Sequence, residues 1–450
     1  MTAVADPIRH GSRSDLSSLA ALTGLGLAAV LVTGVALRIQ DPYWNSFVLL
    51  LVLGGFIALA ATKAAEQAPP TIALVVIVFV AIAMRLIVLS DDPILSTDIY
   101  RYIWDGRVQT AGINPYRYVP ADPALAQLRD ALVYPNINRA DYATTIYPPV
   151  AQLFFFAVTR IAETVTAMRL AMIGCETVTL IVLADLLRRL DKPLTLAVAY
   201  AWHPLAVWEV ANNGHVDALM VVLVMLGAWL LVRHRRIAAG VFVALGALAK
   251  PYAIVALPAC WRPWDWRMPV AVLLAIAACY LPFLGVGKGV FGFLLNGYLS
   301  EEGLRGGDGF WLVHVARGAF GDIPALVPLY LALAAATLGV LALGAAFARD
   351  HTPERRVRDI AMLLMAGLFF LSPNYPWYYL VVAAFIPIGG GAPAWALSIG
   401  AALLYLLFPD YDEPFLIWKG VVSIAFLIAV AATWRAWSLP RIQELTSWTR

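Results

Sequence analysis

Thr71-Ile-Ala-Leu-Val-Val-Ile-Val-Phe-Val-Ala-Ile-Ala-Met-Arg-Leu-Ile-Val-Leu-Ser90 carries a single charge, at Arg85, and is long enough to cross a bilayer, because about 20 apolar residues span ~30 Å of hydrocarbon as a helix. Similar runs recur at 17–37, 46–61, 149–164, 169–187, 193–211 and 216–232. They continue at 237–249, 252–260, 268–286, 323–347, 359–371, 377–388, 394–408 and 415–434. The chain therefore reads as an all-α, polytopic helical membrane protein with about 13–15 membrane segments. Composition agrees: the 450 residues are 61% hydrophobic and 14% charged, with a mean hydropathy of +0.77. A water-soluble enzyme is excluded, since soluble domains carry roughly 25% charged residues. An outer-membrane barrel would show short alternating segments, and these are absent.

The net charge of +3, from 32 basic and 29 acidic residues, offers no basic field for a nucleic acid. Cys175, Cys260 and Cys279 lie in apolar runs without ligand spacing, so they read as buried thiols. A polar head with Arg9, His10 and Arg13 precedes the 17–37 run, which is longer than a signal-peptide core and is expected to persist as the first helix.

Basic clusters orient the spans. Arg233, Arg235 and Arg236, then Arg262 with Arg267, then Arg349 with Arg355, Arg356 and Arg358, and finally Arg435 with Arg441, share one face if the segments around Lys250 form a hairpin. That face is expected to be cytoplasmic, which leaves 91–148, 287–322 and the turn 372–375 on the other. One conflict remains. Arg188, Arg189 and Lys192 belong inside by charge, yet two full crossings between 149 and 187 would place them outside. The 149–164 segment is therefore expected to dip in and return or to lie shallow, which needs its backbone ends covered by protein.

The 91–148 loop is too long for a connector and too aromatic to be unstructured. Ser96-Thr-Asp98 precedes Ile99-Tyr-Arg-Tyr-Ile-Trp-Asp-Gly-Arg-Val-Gln-Thr110, a helix ended by Gly112 and Asn114-Pro115. At 100° per residue, Asp98, Arg101, Tyr102 and Asp105 share a face, so the helix suits the membrane surface. Asp122-Pro123 opens a second helix, expected through Leu132. Seven Asp and five Arg in the loop nearly balance, which points to structure made by pairing rather than to an anion attractor. Asp98 has two readings. It can cap a helix, or, with the helix dipole favouring its anion, it can act as a general base toward a hydroxyl.

The string from Asp98 to Tyr116, with Ile146-Tyr-Pro-Pro149, resembles the bacterial mannosyltransferase-like branch of the GT-C superfamily. The resemblance extends to Trp202-His-Pro204, Asn213-Gly-His-Val-Asp217, Ala249-Lys-Pro251 and Ser372-Pro-Asn-Tyr-Pro-Trp377. It implies a GT-C-like fold whose long outer loop carries interfacial helices. It also implies an integral membrane glycosyltransferase that moves a sugar from a polyprenyl-phosphate donor, with inversion, on the non-cytoplasmic face of the bacterial inner membrane. Asp98 would be the base. Residues 71–408 would form the catalytic core, 1–70 a head with two added helices, and 409–450 the last helix and a cytoplasmic tail. Mannose is the expected sugar, with glucose, galactose and arabinose open. A lipid or glycan is the expected acceptor, with a protein open, and a small lipid-linked or glycolipid acceptor is favoured because no soluble domain that could recognise a large polymer is evident. No cofactor is implied, since the lipid-linked sugar is itself a substrate. The residues assign no oligomeric state.

A departing polyprenyl phosphate gains negative charge, so cations beside it help the transition state more than the ground state. Lys250, before Pro251 at the hairpin tip, is the first candidate; the competing reading is a snorkelling lysine held by turn carbonyls. His215 and Arg101 are further phosphate candidates, although Arg101 could simply pair with Asp98 or Asp105. Asp217 is read either as a sugar ligand or, with His215, as a helix cap, and His203 as a packed histidine. Tyr102, Asp105, Tyr147, Asn374, Tyr375 and Trp377 are candidate substrate contacts, with an interfacial aromatic belt the alternative for Trp377 and Tyr378. Glu301, Glu302, Arg305, Gly306, Gly307 and Asp308 form a polar stretch that either closes over substrate or is simply solvated. Glu176 and Asp185 have no evident partners. No His/Cys/Asp cluster shows metal spacing, so a metal-independent reaction is expected. A secondary transporter is the main rival, but it would place its polar residues at the midplane of repeated halves.

Overall fold

The computed structural model describes residues 13–39, 43–407 and 414–446. Arg9, His10 and the expected boundary at 408/409 lie outside the described residues. Among those described, every regular element is helical. Eight helices among the described residues are long and apolar enough to cross a membrane: Asp15–Arg38, Trp44–Ala65, Pro70–Leu89, Val165–Arg189, Arg267–Phe291, Leu326–Ala346, Pro376–Tyr405 and Leu416–Thr433. Shorter apolar helices cover Pro149–Thr159, Asp217–Val232 and Arg236–Ala247. The quoted run shows why such helices suit lipid. Ala73, Ile77, Val80 and Met84 are buried, while Val75, Phe79, Ile82 and Leu86 form an exposed apolar stripe at helical spacing.

Several apolar runs fold as broken pieces. The 193–211 run divides into Leu194–Ala197, Val198–Ala201 and Ala206–Asn212, and the 252–260 run becomes the short helix Pro251–Ala259. Pro204 lies in the gap between Val198–Ala201 and Ala206–Asn212, where a residue without a donor interrupts the helix, and Pro251 opens the short helix that follows Lys250. Pro149–Thr159 has 11 residues, about 16 Å at 1.5 Å per residue, too short to cross as a helix. Thr164 then starts the next helix by accepting from the Ala167 amide at 3.1 Å.

Two carboxylates of the Val165–Arg189 span, Glu176 and Asp185, are paired. Glu176 accepts from Arg85 Nε at 2.9 Å and Nη2 at 2.5 Å, and Asp185 accepts from Arg189 and from the Trp229 indole, each at 2.6 Å. Cys260 is buried and Cys175 and Cys279 are half-buried, all as free thiols.

The 91–148 loop is anchored where it leaves the bundle. Asn212 and Asn213 side chains accept from the Ile94 and Leu95 amides at 3.0 and 2.8 Å. Arg169 donates to the carbonyls of Val88, Asp91 and Ala211. The loop helix runs Asp98–Thr110, and Gly112 follows with a left-handed φ of 77°. The second helix, Pro123–Leu128, stops four residues short of Leu132; instead Asp130 Oδ1 accepts from the Val133 and Tyr134 amides and bends the chain. Pairing structures the loop as its charge balance suggests, with Arg107 bridging Asp130 and Glu163 at 2.8 Å each. Burial works against the Asp130 charge, but Arg107 and the two amides outweigh it and hold the carboxyl at about 2.

Gly106 lets the loop helix lie against Pro149–Thr159, because a Cβ there would meet the Phe155 carbonyl and the Thr159 side chain at 2.6 Å. Gly106→Val is expected to cost about 1–3 kcal/mol by overpacking. A lowered midpoint of thermal unfolding in detergent is the expected readout, and an unchanged midpoint would show that this contact does not hold the loop.

Candidate functional site

Ser96 fixes the entry to the loop helix, its hydroxyl accepting from the Asp98 amide at 3.1 Å. Thr97, not Asp98, occupies the cap position. The Asp98 carboxylate is held by two donors from the far end of the same loop. Asn138 Nδ2 donates to Oδ1 at 2.6 Å, and the Tyr147 hydroxyl donates to Oδ2 at 3.1 Å. Burial and then the Asp98 charge push the Tyr147 hydroxyl well above its ordinary value, so it stays a donor. A carboxylate offers about four acceptor positions, which leaves Asp98 room to receive a further hydroxyl.

Asp98 borders a cleft of about 580 Å³. Tyr147, Lys250, Tyr375 and Trp377 line it too, together with Asn138, Arg139 and Tyr298. Lys250 sits between Arg236–Ala247 and Pro251–Ala259, as the hairpin reading requires. Its ammonium lies 3.1 Å from Asp217 Oδ2 and 5.0 Å from the centre of the Tyr378 ring. The lysine is thus held by a carboxylate rather than by turn carbonyls. Asp217, the first residue of Asp217–Val232, is fully buried, and the Tyr252 hydroxyl donates to its other oxygen at 3.1 Å.

From the cleft wall inward the aromatic rings form a column. Tyr375 stacks on Trp377 at 4.4 Å with planes 4° apart, and Trp377 stacks on His215 at 4.2 Å. His215 is fully buried, with Nε2 3.5 Å from Glu209 and Nδ1 3.5 Å from the Tyr102 hydroxyl. Glu209 in turn accepts from the Tyr405 hydroxyl at 2.9 Å.

Asp98, Tyr147, Lys250, Tyr375 and Trp377 are thereby brought to one cavity. Six other candidates are not. Arg101 and Asp105 form a buried pair at 2.8 Å, i to i+4, and Gln152 donates to the free Asp105 oxygen at 2.8 Å. Arg101 therefore does not reach the cleft as a phosphate ligand, nor Asp105 as a sugar ligand. Tyr102 stacks on Phe155 at 4.5 Å. His215 and Asp217 lie one layer below the cleft. Asn374 turns to a small neighbouring chamber, where it donates to Glu302 at 2.6 Å. His203 is a packed histidine, hydrogen-bonded to Ser398 at 3.0 Å and buried. Among the described residues, no group of three or more His, Cys, Asp or Glu is arranged to hold a metal ion.

Sequence reasoning missed Asn138, Arg139 and Tyr298. Asn138 lies 40 positions from Asp98, in a stretch without helical or motif periodicity, and only the loop's return brings it back.

Residues 17–264, more than half of the chain, match the family described as alpha-(1->6)-mannopyranosyltransferase, N-terminal domain. The chain is also similar to alpha-(1->6)-mannopyranosyltransferase A of Mycobacterium tuberculosis (strain ATCC 25618 / H37Rv), at 26% identity over 386 residues. That similarity covers 78% of this chain and 72% of the relative. No solved structure matches. The family match includes the loop motif, Asp98 and Lys250, in agreement with the resemblance those residues carry. With its apolar helices and this match, the chain belongs to the alpha-(1->6)-mannopyranosyltransferase family and is a multi-pass membrane glycosyltransferase of the mannosyltransferase kind.

Proposed function

We propose that the protein transfers mannose from a polyprenyl-phosphate donor to a hydroxyl of a lipid or glycan acceptor, with Asp98 as the general base. The observation that carries this reading is one carboxylate, fixed by Asn138 and Tyr147 and still able to accept, facing the same cleft as Lys250. In the transfer, the acceptor oxygen bonds to the anomeric carbon while the bond from that carbon to the phosphate oxygen breaks. The acceptor proton passes to Asp98 and the bonding pair leaves with the phosphate. Lys250 then faces a growing negative charge, where a cation lowers the barrier most. A phosphate leaving group needs little protonation, so no acid partner is demanded. Tyr375, the outer ring of the column, offers a flat face for the sugar ring, and Trp377 backs it.

The relative's name specifies an alpha-(1->6) linkage, and the same linkage is proposed here. An inverting enzyme that makes an alpha-mannoside requires a beta-linked donor, so the substrate is a polyprenyl beta-mannosyl phosphate. The charge bias of the basic clusters supports a cleft that faces the periplasm or exterior of a bacterial inner membrane.

The test is transfer by the purified protein, in liposomes, to extracted membrane lipids from synthetic polyprenyl-phosphate-mannose or from nucleotide-activated mannose. Transfer from the lipid-linked donor alone is expected. Transfer from the nucleotide sugar alone, or sugar uptake without transfer, would overturn the reading. Turnover is further expected to survive EDTA, and loss that a divalent ion restores would contradict the metal-independent mechanism.

A further inference from the structure

Arg139 stands one residue beyond the Asn138 side chain that holds Asp98, and it lines the same cleft. Its backbone is left-handed, with φ 56°, a conformation that costs a side-chain-bearing residue free energy and marks a position the surroundings enforce. Its Nε donates to Glu301 at 2.6 Å, and the guanidinium lies 5.5 Å from the centre of the Tyr298 ring. Arg139 belongs to the 91–148 loop and Glu301 to the stretch that follows Tyr298, so the pair ties two separate loops together.

The two cations lining the cleft differ in their partners. Lys250 faces Asp217, whose side chain is fully buried, and moving the ammonium away would strand that carboxylate at high cost. Glu301 retains 28% of its side-chain exposure and Arg139 22%. Such a carboxylate can return to water at less expense than the fully buried Asp217. At rest both cations are neutralised and Asp98 leaves the cleft with an unbalanced negative charge. A phosphodiester would add another. Releasing Glu301 supplies the positive charge that its binding lacks, on a planar fork suited to phosphate oxygens.

We propose that Arg139 is the exchangeable ligand of the donor phosphate, held by the Glu301 carboxylate until a phosphodiester takes that carboxylate's place. The inference rests on the reading that the donor is a lipid-linked sugar phosphate. Glu301 is then a competitor for the site rather than a support of it, and substitutions at the two ends of one ion pair act in opposite directions.

The experiment measures equilibrium binding of polyprenyl-phosphate-mannose, without acceptor, to wild type and to Arg139→Ala, Arg139→Lys and Glu301→Gln, with folding checked by thermal unfolding. Arg139→Ala is expected to weaken binding by about tenfold or more. Arg139→Lys, which keeps the charge and loses the fork, should fall between it and wild type. Glu301→Gln is expected to tighten binding by about two- to fivefold. If the pair is only a latch between loops, both ends shift affinity in the same direction or not at all, and that result overturns the inference alone. Failure of wild type to bind the phosphate donor would instead overturn the proposed donor class.

Discussion

Asp98→Asn is expected to lower kcat by about a thousandfold while donor affinity stays within a few-fold of wild type. The substitution keeps shape and volume, and it keeps a carbonyl oxygen that can accept from Asn138 or Tyr147. The variant amide can still meet the Tyr147 oxygen, so the loop helix should remain in place. What is lost is the capacity to take a proton. Asp105 and Asp217 are not placed to take over, because Asp105 is paired with Arg101 and Asp217 with Lys250, each beneath the cleft surface. Steady-state kinetics with donor and acceptor varied separately checks this. A loss below about tenfold would reduce Asp98 to a residue that positions substrate.

Lys250→Met is expected to be damaging twice over. It leaves Asp217 buried without its cation, and breaking one side of a buried pair typically costs about 3–5 kcal/mol. It also removes positive charge from the proposed site of the leaving phosphate. The two effects separate in the double variant Lys250→Met with Asp217→Asn, which no longer buries a lone carboxylate. Thermal unfolding in detergent should show most of the stability restored, while turnover stays low. Recovery of turnover along with stability would assign Lys250 a purely structural role.

The parts of this protein that were legible in its sequence are those governed by local physics. The apolar run at 71–90 became the helix Pro70–Leu89, and the loop helix begins at Asp98 and ends beside Gly112. Lys250 lies at a hairpin tip because Pro251 follows it and an apolar run precedes it. Where proline interrupted an apolar run, hydropathy suggested a span and the backbone made short pieces. Helical spacing placed Asp98, Arg101, Tyr102 and Asp105 on one face, and this was correct as geometry. It did not show that the face turns inward, where Arg101 and Asp105 satisfy each other and Tyr102 packs on Phe155. Asn138 and Arg139 were invisible for a related reason. Their role arises only when the loop folds back on its own first helix, and no periodicity in the intervening residues encodes that return.

An inverting transfer from a lipid-linked phosphate, as proposed above, is distinguished from a retaining one by the configuration of the product. Wild-type protein is given polyprenyl beta-mannosyl phosphate labelled with carbon-13 at the anomeric position, and the isolated product is read by its one-bond carbon–proton coupling. An alpha-mannoside attached at a 6-hydroxyl is the result expected of a single displacement with Asp98 as base. A beta-mannoside would mean retention and would contradict that mechanism.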